Sequence, residues 1–111
     1  MNYHAHIYWK SVKEKNIALS TRIYLEKQGC ILGRIWDTPK GPHPLPMFQV
    51  KYNSSIQKKI EEYLKKISLT ILLHEDIGDD DVRDHTEGAR WIGEPLSLNL
   101  TTLRKRESGY K

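Results

Sequence analysis

Apolar and polar residues alternate through residues 3–9, which puts Ala5, Ile7 and Trp9 on one side of an extended strand and His4, His6 and Tyr8 on the other. The period then changes. Over residues 10–29, Val12, Leu19 and Ile23 recur at helical spacing, Lys13, Lys15 and Lys27 face solvent, and Gly29 is placed to cap the C-terminal end. Residues 30–36 are rich in strand formers and run into Asp37-Thr-Pro-Lys-Gly-Pro-His-Pro-Leu-Pro46, whose four prolines restrict φ and predict an ordered, semi-rigid loop. Residues 47–52 resume a strand, with Phe48, Val50 and Tyr52 on one face and Met47, Gln49 and Lys51 on the other.

The clearest amphipathic signal follows: Ile56, Ile60, Tyr63, Leu64 and Ile67 form one helical stripe, with Ser54 or Ser55 as its cap. Residues 69–74 predict a fourth strand, residues 75–84 an acidic turn or helix start, and residues 89–92 a further strand. The order βαββαβ predicts an α+β fold, a ferredoxin-like plait built as a two-layer sandwich. Residues 1–100 are expected to form its single domain, with residues 95–100 as a strap packed on the core. Residues 101–111, which carry Arg104, Lys105, Arg106 and Lys111, are expected to form a flexible basic tail.

In this plait the first and third strands are expected to run parallel in the middle, with the fourth antiparallel beside the first. That arrangement brings His4, His6, His43 and His74 to one end of one sheet. Leu69, Ile71 and Leu73 then cover the helices together with Ala5 and Ile7, leaving Thr70, Leu72 and His74 on the face of His4 and His6. One histidine on a strand is usually structural. Four from three segments converging on one face point to a metal site, because neutral imidazole is the commonest protein ligand for transition metals. His85, after the acidic run, is divided between ending a solvated helix and serving as a substrate ligand or acid/base.

Other motifs fall away on spacing. The run from Asp76 to Asp84 lacks the alternating carboxylates, central Gly and terminal Glu of a calcium-binding loop, and His74-Glu75 has Gly78 where a metalloprotease helix needs its second histidine. A net charge of +4, partly held in the tail, is a weak argument for nucleic acid. The plait is also used by RNA-recognition domains, but the outward positions of the third strand hold Met47, Gln49 and Lys51 in place of base-stacking aromatics. Cys30 is the single cysteine, so no intrachain disulfide forms, and the absence of an apolar membrane-length helix or signal peptide predicts a cytoplasmic protein with no membrane partner. Leu72 and Met47 are expected to lie exposed beside the histidines. Either the segment 89–100 or a second subunit must cover them, and a homodimer is predicted.

Tyr3-His-Ala-His-Ile-Tyr8, Gly41-Pro-His-Pro44, Leu69-Thr-Ile-Leu-Leu-His74, Arg83-Asp-His85, Ala89-Arg-Trp-Ile-Gly93 and Pro95-Leu-Ser-Leu-Asn-Leu100 together resemble the DOPA 4,5-dioxygenase family. The match includes all five histidines and runs in the family's order. The chain departs from the family pattern at Glu75, where proline is frequent, and at Lys65-Lys66-Ile67, where an Asn-Arg-Gly-like turn is frequent. The resemblance implies a mononuclear non-haem iron(II) enzyme that cleaves a catechol with dioxygen by the extradiol route, with DOPA or a related phenolic acid as substrate. It implies His6, His43 and His74 as metal ligands and His4 and His85 as proton-transfer or substrate-orienting groups, with His4 and His6 able to exchange roles. Asp84 is a candidate to orient a histidine, and Arg90 to pair with an acidic substituent of the substrate, each weighed against a surface ion pair. Zinc rivals iron, because three imidazoles and an open position also describe a hydrolytic zinc centre. A non-catalytic metal- or ligand-binding relative is the third reading.

Overall fold

Seven residues from Asn2 to Tyr8 form the central strand, β1, and every other element is placed by what pairs with it or packs on it. The computed structural model describes residues 2–39, 41–76 and 89–98. The order is β1 (Asn2–Tyr8), α1 (Val12–Lys27), β2 (Ile31–Trp36), β3 (Met47–Asn53), α2 (Gln57–Leu64), β4 (Ile71–Glu75) and β5 (Ala89–Ile92). The five strands form one sheet in the order β2-β3-β1-β4-β5, all neighbours antiparallel. The fold is thus α+β and consistent with a ferredoxin-like plait, extended by β5.

One expectation is overturned at the centre. β1 and β3 run antiparallel, not parallel, with Ala5 opposite Val50 and Tyr8 opposite Met47. The start of β3 therefore lies at the end of β1, and the proline loop that precedes β3 arrives there too: Trp9 N donates to the Pro46 carbonyl at 3.3 Å.

The helices cover one face. Ala5, Ile7, Phe48, Val50, Tyr52, Ile71 and Leu73 are buried there against Ala18 and Leu25 of α1 and Ile60 and Leu64 of α2. The α2 stripe is the predicted one, but neither Ser54 nor Ser55 caps it, and no side chain does; Asn53 Oδ1 accepts from Ser55 N at 2.9 Å in the turn before the helix. In α1 the buried residues are Ala18, Thr21 and Leu25, while Val12 and Ile23 of the predicted stripe are exposed. At about 100° per residue, Val12, Leu19 and Ile23 lie on the side opposite Ala18 and Leu25. Small side chains let the helix approach the sheet, and Thr21 is admitted because its hydroxyl donates to the Ile17 carbonyl at 2.8 Å. Gly29 ends α1 as predicted. Its φ of +87° lets Gly29 N reach the Glu26 carbonyl and Cys30 N the Leu25 carbonyl.

The opposite face is covered as well. Tyr8, Met47 and Leu72 are buried in a second core with Trp36, Leu45, Ala89, Trp91, Leu96 and Leu98 around them. Leu72 and Met47 are thus not exposed: β5 and the following strap shield them within the chain, which removes the argument that a partner subunit must do so. Of the predicted strap, residues 95–98 are described and residues 99–100 lie outside, as do the tail 101–111 and the acidic segment from residue 77 onward.

Candidate metal centre

Cross-strand partners share a face, so register alone lays out the site. One row across the sheet holds Lys51, His4, His74 and Ala89; the next holds Gln49, His6, Leu72 and Trp91; a third holds Trp36, Met47 and Tyr8. His6 stands on the middle strand, with His74 diagonally across on β4. His43 comes from the proline loop, whose antiparallel entry into β3 folds it back over this face.

His6, His43 and His74 are each at least 94% buried. The ring of His6 lies 4.2 Å from that of His43 and 5.1 Å from that of His74, centre to centre. His6 Nε2 and His74 Nε2 face each other at 2.9 Å. His74 Nδ1 lies 3.0 Å from the Glu75 carbonyl, which can only accept, so Nδ1 carries the proton and Nε2 presents its lone pair towards His6. A backbone carbonyl fixing the outer nitrogen is the arrangement typical of metal-ligating histidine. His43 Nδ1 is 2.7 Å from the Tyr8 hydroxyl, and burial pushes the Tyr8 phenol far above its ordinary pKa of 10.0, so this partner stays a neutral O–H.

His4 is placed differently. Its ring meets His74 edge-on at 5.2 Å and stands 6.5 Å from His6, and its Nε2 is 3.3 Å from Asp76 Oδ2. Lys51 Nζ approaches the same oxygen at 3.4 Å. Of the two histidines that spacing left equivalent, His6 therefore sets its Nε2 against that of His74 and His4 sets its own against a carboxylate.

Two nitrogens each about 2.1 Å from one ion and at right angles about it stand about 3.0 Å apart, so the His6–His74 separation suits a shared ion. Among the described residues no three His, Cys, Asp or Glu side chains already surround one point. The facing pair is His6 and His74, with the His43 ring tilted at 33° against that of His6. His85 and Asp84 lie outside the described residues.

Arg90 is not where a substrate anchor is needed. It pairs with Leu73 in the register, on the helix-covered face, and both its terminal nitrogens reach Glu61 of α2 at 2.8 Å. Tyr52 donates to the same carboxylate at 2.8 Å. Burial alone would raise the Glu61 pKa, but the bonds from Arg90 and Tyr52 outweigh it and hold the carboxyl below the usual range. Arg90 locks β5 to α2, across the sheet from the histidines.

Three contributors were not assigned from sequence. Tyr8 was already on the histidine face by alternation, but its bond to His43 needed the path of the loop. Asp76 and Lys51 carried no distinguishing motif, and only the pairing of β1 with its two neighbours brings them to His4.

The sequence profile of the Dopa 4,5-dioxygenase family matches residues 3–102. A DOPA 4,5-dioxygenase from Amanita muscaria is 30% identical over 91% of this chain and 49% of its own length. An uncharacterised 21.2 kDa protein from Botryotinia fuckeliana is 32% identical over 65% of this chain and 44% of its own. The chain thus spans about half the length of these curated relatives. A solved structure of a candidate dioxygenase from Nostoc punctiforme superposes with a TM-score of 0.87 at 34% identity, covering 95% of this chain and 92% of that one. A family match across nearly the whole described sheet, joined to a shared fold, leads to one assignment: this chain belongs to the Dopa 4,5-dioxygenase family.

Proposed function

We propose that the protein is a non-haem iron(II) dioxygenase that opens the ring of a catechol, DOPA or a related phenolic acid, by extradiol cleavage. The observation that carries this reading is the facing pair of buried imidazole nitrogens, His6 and His74, with His43 against His6. His6, His43 and His74 are the residues that would hold the metal. Iron(II), when bound, supplies open positions for the two catechol oxygens and for dioxygen.

The chain's own residues account for the rest. A catechol chelates best after losing a proton, and His4 is a base whose protonated form the Asp76 carboxylate would stabilise from 3.3 Å. His85 is the second candidate for proton transfer. Tyr8 holds the His43 ring by its Nδ1, and the Glu75 carbonyl holds that of His74, so both imidazoles meet the metal pre-oriented. Trp91, Leu96 and Leu98 pack on Tyr8 and Leu72 and keep water from the floor beneath the site. The RNA-binding alternative finds little support on this face, since Met47 is buried and Gln49 and Lys51 offer no stacking surface.

The test is anaerobic loading with iron(II), then oxygen uptake and the yellow ring-opened product across a panel of catechols. One dioxygen consumed per catechol opened is the expected result. Tight iron binding with no oxygen uptake on any catechol would overturn the proposal in favour of a non-catalytic metal-binding relative. Parallel loading with zinc separates the hydrolytic rival.

A further inference from the structure

Leu32 of β2 pairs with Val50, but Ile35 pairs with Phe48, so two residues, Gly33 and Arg34, stand opposite the single residue Gln49. This is a β-bulge, and its effect is on direction. Without the extra residue Arg34 would fall opposite Phe48 and point into the helix-covered core. With it, Arg34 joins the row of Gln49 and His6 on the histidine face. Glycine is what makes the tight crossing feasible: a Cβ at Gly33 would sit 3.0 Å from the Gln49 carbonyl and 3.4 Å from its Cβ.

The guanidinium of Arg34 lies over the Trp36 ring, 4.6 Å from its centre. Stacking fixes the plane of the group and leaves its N–H edge to meet an anion. Other cations near the sheet are committed, Lys51 to Asp76 and Arg90 to Glu61, whereas among the described residues no carboxylate pairs with Arg34. Two strand spacings, about 10 Å, separate the backbones of Arg34 and His6. An aromatic ring with a short acidic side arm fills such a gap.

We propose that Arg34, aimed by the Gly33 bulge and held flat by Trp36, is the specificity-determining residue that grips the carboxylate of the substrate's side arm. The proposal rests on the catechol reading above and takes over the role that Arg90 cannot fill. It selects carboxylate-bearing catechols over neutral ones by a charge-assisted hydrogen bond at an exposed rim.

Calorimetric titration of the iron-loaded protein under anaerobic conditions, with 3,4-dihydroxyphenylacetate and with uncharged 4-methylcatechol, tests it. Arg34→Gln should weaken the acid about tenfold and leave the neutral catechol unchanged, and Arg34→Lys should restore part of the loss. Turnover should follow the same pattern, in KM for the acid and not in kcat. If 4-methylcatechol binds and is opened normally while Arg34→Gln leaves the ratio of the two affinities within twofold of wild type, the assignment of Arg34 is wrong and the dioxygenase reading stands. If neither catechol binds wild-type protein, both are wrong.

Discussion

Arg90→Met separates a structural lock from a substrate anchor. The substitution keeps the length and apolar stem of the side chain but removes both nitrogens that reach Glu61, leaving a nearly buried carboxylate with Tyr52 and Gln57 as its donors among the described residues. Removing one partner of a fully buried ion pair costs about 3–5 kcal/mol. The side chain of Arg90 is 49% exposed, so water screens part of that interaction and about 2 kcal/mol is the better figure. In a domain of this size such a loss lowers Tm by about 10 °C. The companion Arg90→Met/Glu61→Gln double variant leaves no unpaired charge, keeps an acceptor for the Tyr52 hydroxyl and should recover most of the loss. The effect should also depend on pH. Because Glu61 has a folded pKa below its ordinary 4.5, its ionisation contributes stability that is fully present above that value and fades as pH falls through the folded one. Melting curves at pH 7 and in steps from pH 5 to 3 should therefore show the gap between wild type and Arg90→Met narrowing below about pH 4.5. A Tm within 2 °C of wild type at pH 7, accompanied by a raised KM for acidic catechols, would refute the reasoning and return Arg90 to the substrate.

Other outcomes bear on the metal centre. Iron(II) added anaerobically at about a hundred times its dissociation constant should stabilise the protein by about 2.7 kcal/mol, seen as a higher Tm that His6→Ala abolishes. His74→Ala should eliminate oxygen uptake and bound iron together while the far-ultraviolet circular dichroism keeps its native shape. Tyr8→Phe removes the hydroxyl 2.7 Å from His43 Nδ1; iron affinity, measured against a competing chelator, should fall about 10- to 100-fold for a loss of only about 1 kcal/mol in folding stability.

Much of the fold was legible because burial on one side leaves a period in the chain. The alternation in β1 and β3 assigned every side chain to its face, and the Ile60 and Leu64 stripe located α2. The failures have physical causes. Helix α1 carries apolar residues on both sides, so periodicity could not rank Val12 and Ile23 against Ala18 and Leu25; close approach of small residues to the sheet decided it. No side chain caps α2, because the turn that enters it already supplies backbone carbonyls, Asn53 accepting from Ile56 N and Ser54 from Gln57 N.

The direction of β3 matters most for the site. Sequence order alone put four histidines from three segments near one another but assumed a parallel pairing. The antiparallel register instead carries the proline loop back to Tyr8, setting His43 on His6.

By itself the sequence determined which residues are strand, helix and loop, which face each strand histidine takes, and the family to which its motifs belong. These follow from local periods and spacings of a few residues. Only the tertiary structure decided that His6 Nε2 meets His74 Nε2 while His4 Nε2 lies on Asp76, that Arg90 is bound to Glu61 on the far side of the sheet, and that a one-residue bulge turns Arg34 towards the histidines. Each depends on register between strands far apart in the chain, where a shift of one residue reverses the face a side chain takes.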